Sequence, residues 1–224
     1  MNISPTDLVL VNPVAKISTR QYPLTDRTER RGRRRSMTQD QSSDSAIVDS
    51  GEISQLISKI AHQIVENNTP EAFGNDDVVL LGIPSGGVPL AQRIKKEISE
   101  ITGANTPIGS LDITLYRDDL KCRPHRALRQ TMYPLGGIEG KTVVLIDDVL
   151  YSGRTIRAAL DALRDLGRAK RVQLAVLVDR EQQEFPIRAD FVGTKIPNIE
   201  GQNLVCELQP LDDCDRITVQ DEEK

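Results

Sequence analysis

The stretch Thr142-Val143-Val144-Leu145-Ile146-Asp147-Asp148-Val149-Leu150-Tyr151-Ser152-Gly153-Arg154-Thr155 decides the fold of this 224-residue chain. Residues 142–146 are apolar or β-branched, which predicts a buried strand that ends in two adjacent carboxylates. A turn of small residues follows, and apolar residues at helical spacing predict a helix from Thr155 to Leu166 that Gly167 closes. This order is typical of the repeating unit of a parallel α/β sheet.

The same alternation of strands and helices extends along the chain on both sides of this stretch. One amphipathic helix is predicted to begin near Asp49 or Ser50, and another runs from Leu90 to Ile101. The other predicted strands are Val78–Ile83, Leu111–Tyr116, Val172–Val178 and Leu204–Leu208. This pattern predicts an α/β fold with a central, mostly parallel sheet flanked by helices. Ligands of such sheets bind in the loops beyond the carboxyl ends of the strands.

Two long segments interrupt the alternation. Arg117–Lys141 separates two strands by about 25 residues, a length that indicates a mobile lid or a binding loop. Residues 1–48 lack hydrophobic periodicity, so we expect a disordered basic extension there, and Met37 is a candidate for the true first residue. Residues 49–219 are assigned to one domain and residues 220–224 to a C-terminal tail.

Charge is distributed unevenly between the N-terminal segment and the rest of the chain. Residues 1–36 carry eight Lys and Arg against three acids, whereas the remainder carries 21 basic and 30 acidic residues. An acidic body is not typical of nonspecific nucleic-acid binding. The run Arg30–Arg35 either contacts phosphates or is a solvated tail.

Targeting and metal signals are missing from the sequence. No apolar run approaches the roughly 20 residues of a membrane helix, and residues 1–14 do not resemble a secretory signal, so a cytoplasmic protein without membrane contact is expected. The three cysteines and two histidines lack metal-ligand spacing, which predicts free thiols and no zinc site.

The turn after Asp147 and Asp148 has the chemistry of a sugar-phosphate site. Its backbone N–H groups and the dipole of the following helix favour a phosphate, while Gly153 lets the backbone approach closely. Ser152 and Thr155 add hydroxyl donors. The carboxylates would repel that phosphate, so they are predicted to accept hydrogen bonds from the sugar hydroxyls. Two other interpretations are an acid pair of the receiver-domain type, which binds Mg²⁺, and a purely structural turn.

The run Asp147–Thr155 resembles the motif by which type I phosphoribosyltransferases bind 5-phosphoribosyl-1-pyrophosphate (PRPP). Its wording is similar to that of the PyrR family, which comprises bifunctional regulators of pyrimidine operons with uracil phosphoribosyltransferase activity. The segments Asp112–Leu120, Gln173–Arg180 and Pro186–Asp190 also resemble this family, and the likeness runs from about residue 50 to residue 219. The resemblance implies a type I phosphoribosyltransferase fold with a mobile loop and a small C-terminal hood.

The resemblance also implies roles for individual residues. Asp147 and Asp148 are expected to bind the ribose hydroxyls and Arg117 to reach the pyrophosphate, which makes these three the predicted catalytic residues. Mg²⁺ is expected as the cofactor, held by substrate oxygens and water with no direct protein ligand, and Asp118 and Asp119 are predicted to anchor the loop or contact this ion through water. The predicted substrate-binding residues are Ser85, Gly86, Gly87, Asp148, Val149, Leu150, Tyr151, Ser152, Gly153, Arg154, Thr155, Arg180 and Leu204, with Asp179 as a further candidate near the base.

Regulation is the second expectation that the resemblance carries. The implied partners are PRPP, uracil, UMP and a pyrimidine-operon leader mRNA, in a homodimer or a larger homo-oligomer. The predicted RNA contacts are Ser58, Lys59, His62 and Arg188. Ser85-Gly86-Gly87 replaces the Thr-Arg-Gly of the family, which slightly favours the alternative of a PRPP- or UMP-sensing RNA-binding regulator with little catalytic activity. The intact motif Asp147–Thr155 and Arg117 favour the main expectation, which is a uracil phosphoribosyltransferase that converts uracil and PRPP to UMP and pyrophosphate. Glu181-Gln182-Gln183 also replaces a commonly basic stretch, and a different base, such as a purine, is a third possibility.

Overall fold

The computed structural model describes residues 8–10, 46–117, 131–134 and 136–221. The strands within these residues are β1 (Leu8–Leu10), β2 (Val78–Gly82), β3 (Ile108–Ser110), β4 (Met132–Pro134), β5 (Thr142–Leu150), β6 (Arg171–Asp179), β7 (Phe191–Lys195), β8 (Gln202–Glu207) and β9 (Arg216–Asp221). The helices are α1 (Ser50–Asn67), α2 (Pro70–Gly74), α3 (Gly87–Thr102) and α4 (Arg154–Leu166), with a 3-10 turn at Thr114–Tyr116.

A mixed sheet in the order β1-β4-β3-β2-β5-β6-β7 forms the centre of the protein. Strands β3, β2, β5, β6 and β7 run parallel, and β4 and β1 add an antiparallel edge. Strands β8 and β9 pair separately as an antiparallel hairpin, which corresponds to the expected hood. The predicted α/β fold is confirmed.

Helices cover both faces of the sheet because neighbouring residues of a strand point to opposite sides. On β5, Val144 and Ile146 belong to the apolar cluster that contains α1 and α3 residues. Val143 and Leu145 belong to the cluster that contains the buried face of α4. Both faces of β5 are thus buried over Val143–Ile146, which explains the uninterrupted apolar run there.

The first helix begins where the sequence predicts. Asp49 Oδ1 accepts hydrogen bonds from the backbone N–H groups of Gly51 and Glu52, at 2.8 and 2.9 Å. The Glu52 carboxylate in turn accepts from the Asp49 N–H at 3.0 Å. This reciprocal arrangement satisfies N–H groups that a helix terminus otherwise leaves without partners.

The predicted strand at Leu111–Tyr116 is wrong. The ladder with β2 ends near Ser110, and Asp112 Oδ1 then accepts from the Thr114 N–H and hydroxyl, at 2.9 and 2.6 Å. A side chain that supplies this local acceptor competes with strand pairing and favours a turn. Leu111 and Ile113 remain apolar because they are buried in the core, not because they form a ladder.

Two boundaries of the predicted domain also differ. Leu8–Leu10, within the segment expected to be disordered, pairs with Met132–Pro134 of β4, and β4 itself lies within the predicted loop 117–141. The backbone of β1 pairs with a sheet edge that would otherwise present unpaired N–H and C=O groups. Gln220 and Asp221, assigned to the tail, still belong to β9. Residues 118–130, which include Asp118, Asp119 and Cys122, lie outside the described residues.

Strand β7 was missed by the sequence analysis. It contains Gly193, and glycine weakens a strand pattern. A Cβ at this position would lie 2.6 Å from the Leu177 carbonyl oxygen and 3.3 Å from the side chains of Leu56 and Ile60. The glycine is therefore required for close packing of β7 between β6 and α1.

None of the helices in the described part of the chain is long and apolar enough to cross a membrane.

Candidate functional site

The acid pair lies at the carboxyl end of β5, which continues past the predicted end at Ile146 to Leu150. Asp147 is buried, with 5% of its surface exposed, and Asp148 is half-buried. The Asp148 N–H donates to Asp147 Oδ1 at 3.1 Å, and the Val149 N–H donates to Asp148 Oδ1 at 2.9 Å. Each carboxylate is thereby oriented by the backbone of the residue that follows it.

Arg117 lies close enough to the acid pair to act on it electrostatically. Burial, followed by the charge of Asp148, raises the pKa of Asp147 well above its ordinary value, while the positive charge of Arg117 opposes this rise in pKa. The preceding residue fixes this part of the chain, because the Tyr116 hydroxyl donates to Asp165 Oδ2 on α4 at 2.6 Å. Arg117 is thus near enough to Asp147 for its charge to act on that carboxylate.

Replacement of Asp147 by Asn is expected to stabilise the protein. The pKa of Asp147 is higher in the folded protein than in the unfolded chain. At pH values between these two pKa values, the folded protein therefore holds a proton that the unfolded chain has lost. The stability of the parent protein consequently falls as pH rises through this range. The asparagine lacks this penalty and keeps an oxygen for the Asp148 N–H. Thermal unfolding across pH should show an advantage of Asp147→Asn that grows with pH and then levels off. An advantage that is constant or absent contradicts the burial argument.

Two glycines, Gly86 and Gly87, pack directly against the part of β5 that carries the acid pair. The segment Pro84–Gly87 connects β2 to α3, and its Pro84–Ser85 peptide bond is cis. A Cβ at Gly86 would overlap Asp148 Oδ2, and a Cβ at Gly87 would overlap the Ile146 carbonyl oxygen. Glycines suit a loop whose backbone amides must reach an anion. The structure adds a second reason, since both positions touch β5.

Gly87→Ala is expected to destabilise the fold by about 1–3 kcal/mol, because the new methyl group meets a backbone carbonyl that cannot rotate away. For a chain of this size that corresponds to a fall in Tm of about 2–4 °C per kcal/mol. Gly74→Ala is the matched control, since no atom lies within 4 Å of a Cβ there, and it should change stability by less than about 0.5 kcal/mol. Equal Tm values for the two variants would show that the β2–α3 connection yields to the methyl group.

The phosphate turn is formed by Leu150–Gly153, with helix α4 starting at Arg154. Gly153 has a φ of +87°, a left-handed conformation that glycine adopts without strain. Ser152 and Thr155 are half-buried at this turn and Tyr151 is exposed. The turn and the first N–H groups of α4 thus form the concave, amide-rich surface that suits a phosphate.

Two residues predicted to bind substrate face elsewhere with their side chains. Leu150 is 1% exposed and packs in the core, so only its backbone reaches the turn. The Arg154 guanidinium pairs with Glu184 and lies 5.6 Å from the centre of the Phe185 ring. The contacts of Arg154 with Glu184 and Phe185 hold the turn against the loop that follows β6. A hydrogen bond of 2.9 Å from the Glu184 N–H to the Ser152 carbonyl does the same.

A cleft of about 880 Å³ adjoins the turn, between the ends of β5 and β6 and the hood. The predicted residues Val149, Tyr151, Arg180 and Leu204 all line it. Sequence analysis missed Asn198, which also lines the cleft and lies in a polar loop that carries no motif. The cleft therefore shares Tyr151 with the turn and lies at the ends of β5 and β6.

Arg180 forms the floor of this cleft. It is 4% exposed, its guanidinium donates to Asn198 Oδ1, and burial lowers its pKa while Tyr151 raises it. Asp179, the other candidate at this position, instead accepts from the Glu181 N–H and from Gln183 Nε2, at 2.9 and 2.7 Å. Asp179 thus shapes the loop after β6, whereas Arg180 faces the cleft.

The predicted RNA contacts adjoin edge strand β7. Lys59 Nζ donates to the Gly193 carbonyl at 2.8 Å, and the His62 ring nitrogen Nδ1 lies 2.8 Å from the Ser58 carbonyl oxygen. Arg188 is exposed, and its charge lowers the pKa of Lys195, an effect that the Glu181 carboxylate outweighs. Of these candidates, Lys59 contacts β7 directly, and Arg188 acts electrostatically on Lys195 at the end of that strand.

The acid pair, the glycine pair and the amide-rich turn all lie at one edge of the parallel sheet. This arrangement is typical of phosphoribosyltransferases. Residues 43–210 match the family described as phosphoribosyl transferase domain. The hypoxanthine phosphoribosyltransferase of Trypanosoma cruzi superposes with a TM-score of 0.59 at 16% identity, covering 80% of this chain and 97% of that chain. The enzyme of the same name from Staphylococcus aureus gives 0.59 at 18% identity, covering 81% and 96%. At these identities the likeness shows the fold alone.

Curated relatives identify the family within that class. The bifunctional protein PyrR of Corynebacterium efficiens is 54% identical over 172 residues, covering 77% of this chain and 90% of the relative. The protein of that name from Streptomyces coelicolor is 52% identical over 171 residues, covering 76% and 86%. The chain belongs to the PyrR family, as its sequence motifs indicate.

Proposed function

We propose that the protein transfers the phosphoribosyl group of PRPP to uracil, which yields UMP and pyrophosphate. The observation that carries the proposal is the convergence of the acid pair, the phosphate turn and the cleft at one edge of the sheet. The turn at Leu150–Gly153 receives the 5′-phosphate, and Asp147 and Asp148 accept hydrogen bonds from the ribose hydroxyls. The pyrophosphate lies towards Ser85–Gly87 and Arg117, and the base occupies the cleft above Arg180.

Alignment and charge supply the catalysis in this proposal. Uracil N1 attacks ribose C1′, the bond from C1′ to the pyrophosphate oxygen breaks, and its electron pair leaves with pyrophosphate. The proton of uracil N1 is released to pyrophosphate or to water. Positive charge grows on the ribose near the carboxylates of Asp147 and Asp148, while Arg117 opposes the negative charge that grows on the leaving group. Holding both substrates at adjoining surfaces removes most of the entropic barrier to their encounter.

Magnesium belongs to this proposal as a substrate-bound ion. Asp148 is placed to interact with such an ion through water. Its Oδ1 atom is oriented by the Val149 N–H, and its Oδ2 atom lies beside Gly86 in the segment Pro84–Gly87. A carboxylate oxygen there can accept hydrogen bonds from ribose or from water on a hard cation. When bound, the ion would neutralise part of the pyrophosphate charge.

Conversion of radiolabelled uracil is the direct test. UMP should form only when PRPP and Mg²⁺ are both present, and a panel of pyrimidine and purine bases under the same conditions identifies the preferred one. Absence of UMP, with PRPP binding intact by calorimetry, would instead support the alternative of a sensing regulator without turnover. Preference for a purine would replace uracil in the proposal.

A second proposed activity is binding of leader RNA in response to UMP. It is supported by the position of Ser58, Lys59 and His62 on α1, from which Lys59 donates to β7, and by the exposed Arg188 in the loop that precedes β7. The loop after β6 supports the coupling to UMP, since the same loop carries Arg188, lines the cleft through Glu181 and packs on the phosphate turn. Gel shifts with the cognate leader RNA, with and without UMP, test it, and binding that is indifferent to UMP counts against it. Light scattering tests the expected homo-oligomer.

A further inference from the structure

Asn198 is held in one orientation by Arg180. The Arg180 guanidinium donates to the Asn198 side chain, and a guanidinium carries donors but no acceptor. The atom of the amide that faces Arg180 must therefore be Oδ1, which fixes the NH₂ group on the other side. The backbone repeats the link, because the Asn198 N–H donates to the Arg180 carbonyl at 3.1 Å.

The support behind this amide is rigid. Arg180 is 4% exposed, and its backbone N–H donates to the Leu150 carbonyl of the phosphate turn at 2.9 Å. The position of Asn198 is thereby tied to the element that receives the 5′-phosphate. A polar side chain that buried neighbours hold in one orientation discriminates between ligands better than an exposed side chain that can rotate.

The NH₂ group of Asn198 is available to a ligand. Within the described residues it donates no hydrogen bond, and it is not among the buried atoms without a partner. Asn198 is half-buried and lines the cleft. Two oriented donors therefore stand at the cleft wall.

The sheet places these donors far from the acid pair. Asn198 follows β7, two strands away from β5, which corresponds to roughly 10 Å at the usual spacing of neighbouring strands. If the ribose lies against Asp147 and Asp148, the base extends from it across the cleft. The edge of a pyrimidine that lies opposite its N1 atom then points towards Asn198.

We propose that Asn198 determines base specificity by donating to the carbonyl oxygen at position 4 of the pyrimidine. This inference rests on the proposed function and names what selects its substrate. Uracil presents an acceptor at position 4, whereas cytosine presents an amino group, which would face the Asn198 donors without a partner. Leaving such groups unpaired in a desolvated site weakens binding by about 10- to 100-fold.

Asn198→Asp tests the proposal because it changes donors into an acceptor while retaining an oxygen for Arg180. UMP and CMP are titrated by calorimetry into the parent protein and into Asn198→Asp. The parent should bind UMP at least 10-fold more tightly than CMP, and this ratio should fall at least 10-fold in the variant. Asn203→Asp is the matched control, since Asn203 lines the same cleft but is exposed. It adds the same charge and should lower both affinities equally, which leaves the ratio unchanged.

The possible outcomes separate the inference from the function beneath it. A UMP to CMP ratio that survives in Asn198→Asp, or falls equally in Asn203→Asp, overturns the role of Asn198 and leaves the transferase intact. A parent that binds neither PRPP nor UMP overturns the proposed function itself. If Asn198→Asp does not fold, Asn198→Ala carries the test, because it removes the donors without a charge and should also reduce the ratio.

Discussion

Asp148→Asn is expected to lower turnover by about 10²–10³-fold, the usual effect of removing one group that stabilises charge in a transition state. The carboxylate lies at the carboxyl end of β5, with Oδ1 oriented by the Val149 N–H and Oδ2 beside Gly86. The asparagine keeps the first contact but loses the negative charge and one acceptor for the ribose. Since Asp148 is half-buried at the sheet edge, the change in stability should stay within about 0.5 kcal/mol. Steady-state kinetics with uracil and PRPP, paired with thermal unfolding, measures both.

Asp161→Asn provides the control for that variant. It makes the same chemical change on the exposed face of α4, so turnover and Tm should match those of the parent. Normal turnover in Asp148→Asn, or an equal loss in Asp161→Asn, would remove Asp148 from the catalytic site.

Arg117→Ala is expected to lower kcat by about 10²-fold or more, because it removes the cation that opposes charge growing on pyrophosphate. The same cation lowers the pKa of Asp147. Its loss raises that pKa further, so the acidic limb of the pH–rate profile should move to higher pH. A purely structural role for Arg117 would lower activity without moving this limb.

Two further variants sharpen the interpretation of Arg117. Arg117→Lys keeps the charge but not the planar fork of donors, and should recover part of kcat and return the acidic limb towards that of the parent. Arg164→Ala removes an exposed cation from the last turn of α4 and should leave the kinetics unchanged. A pH profile that is identical in all variants would contradict an interaction between Arg117 and Asp147.

Strands buried on both faces were predictable from the sequence. Residues 143–146 are all apolar, residues 172–178 are apolar except for Gln173, and both runs lie within observed strands. Strand β7 was not predictable in this way, because Gly193 is dictated by the Leu177 carbonyl and the α1 side chains that touch it. The error at Leu111–Tyr116 arose because apolar residues bury equally well in a turn, where Asp112 supplies the bonds that a ladder would have supplied.

The candidate site shows the same division. Adjacent carboxylates followed by a turn and a helix predict a sugar-phosphate site, because the groups that would form it are neighbours in the chain. Whether a side chain faces that ligand depends on contacts from distant segments. Arg154 turns towards Glu184 and Phe185, and Asn198 gains its orientation from Arg180.

The sequence by itself determined the α/β class and the acid pair with the turn that follows it, since each follows from local order and periodicity along one stretch of chain, and the resemblance of its motifs indicated the family. The tertiary structure alone decided that Gly86 and Gly87 press on β5, that Arg117 acts on Asp147, and that Arg180 fixes Asn198 at the cleft. These are contacts between residues far apart in the chain. Their geometry depends on how strands and helices pack, which no local pattern of residues encodes.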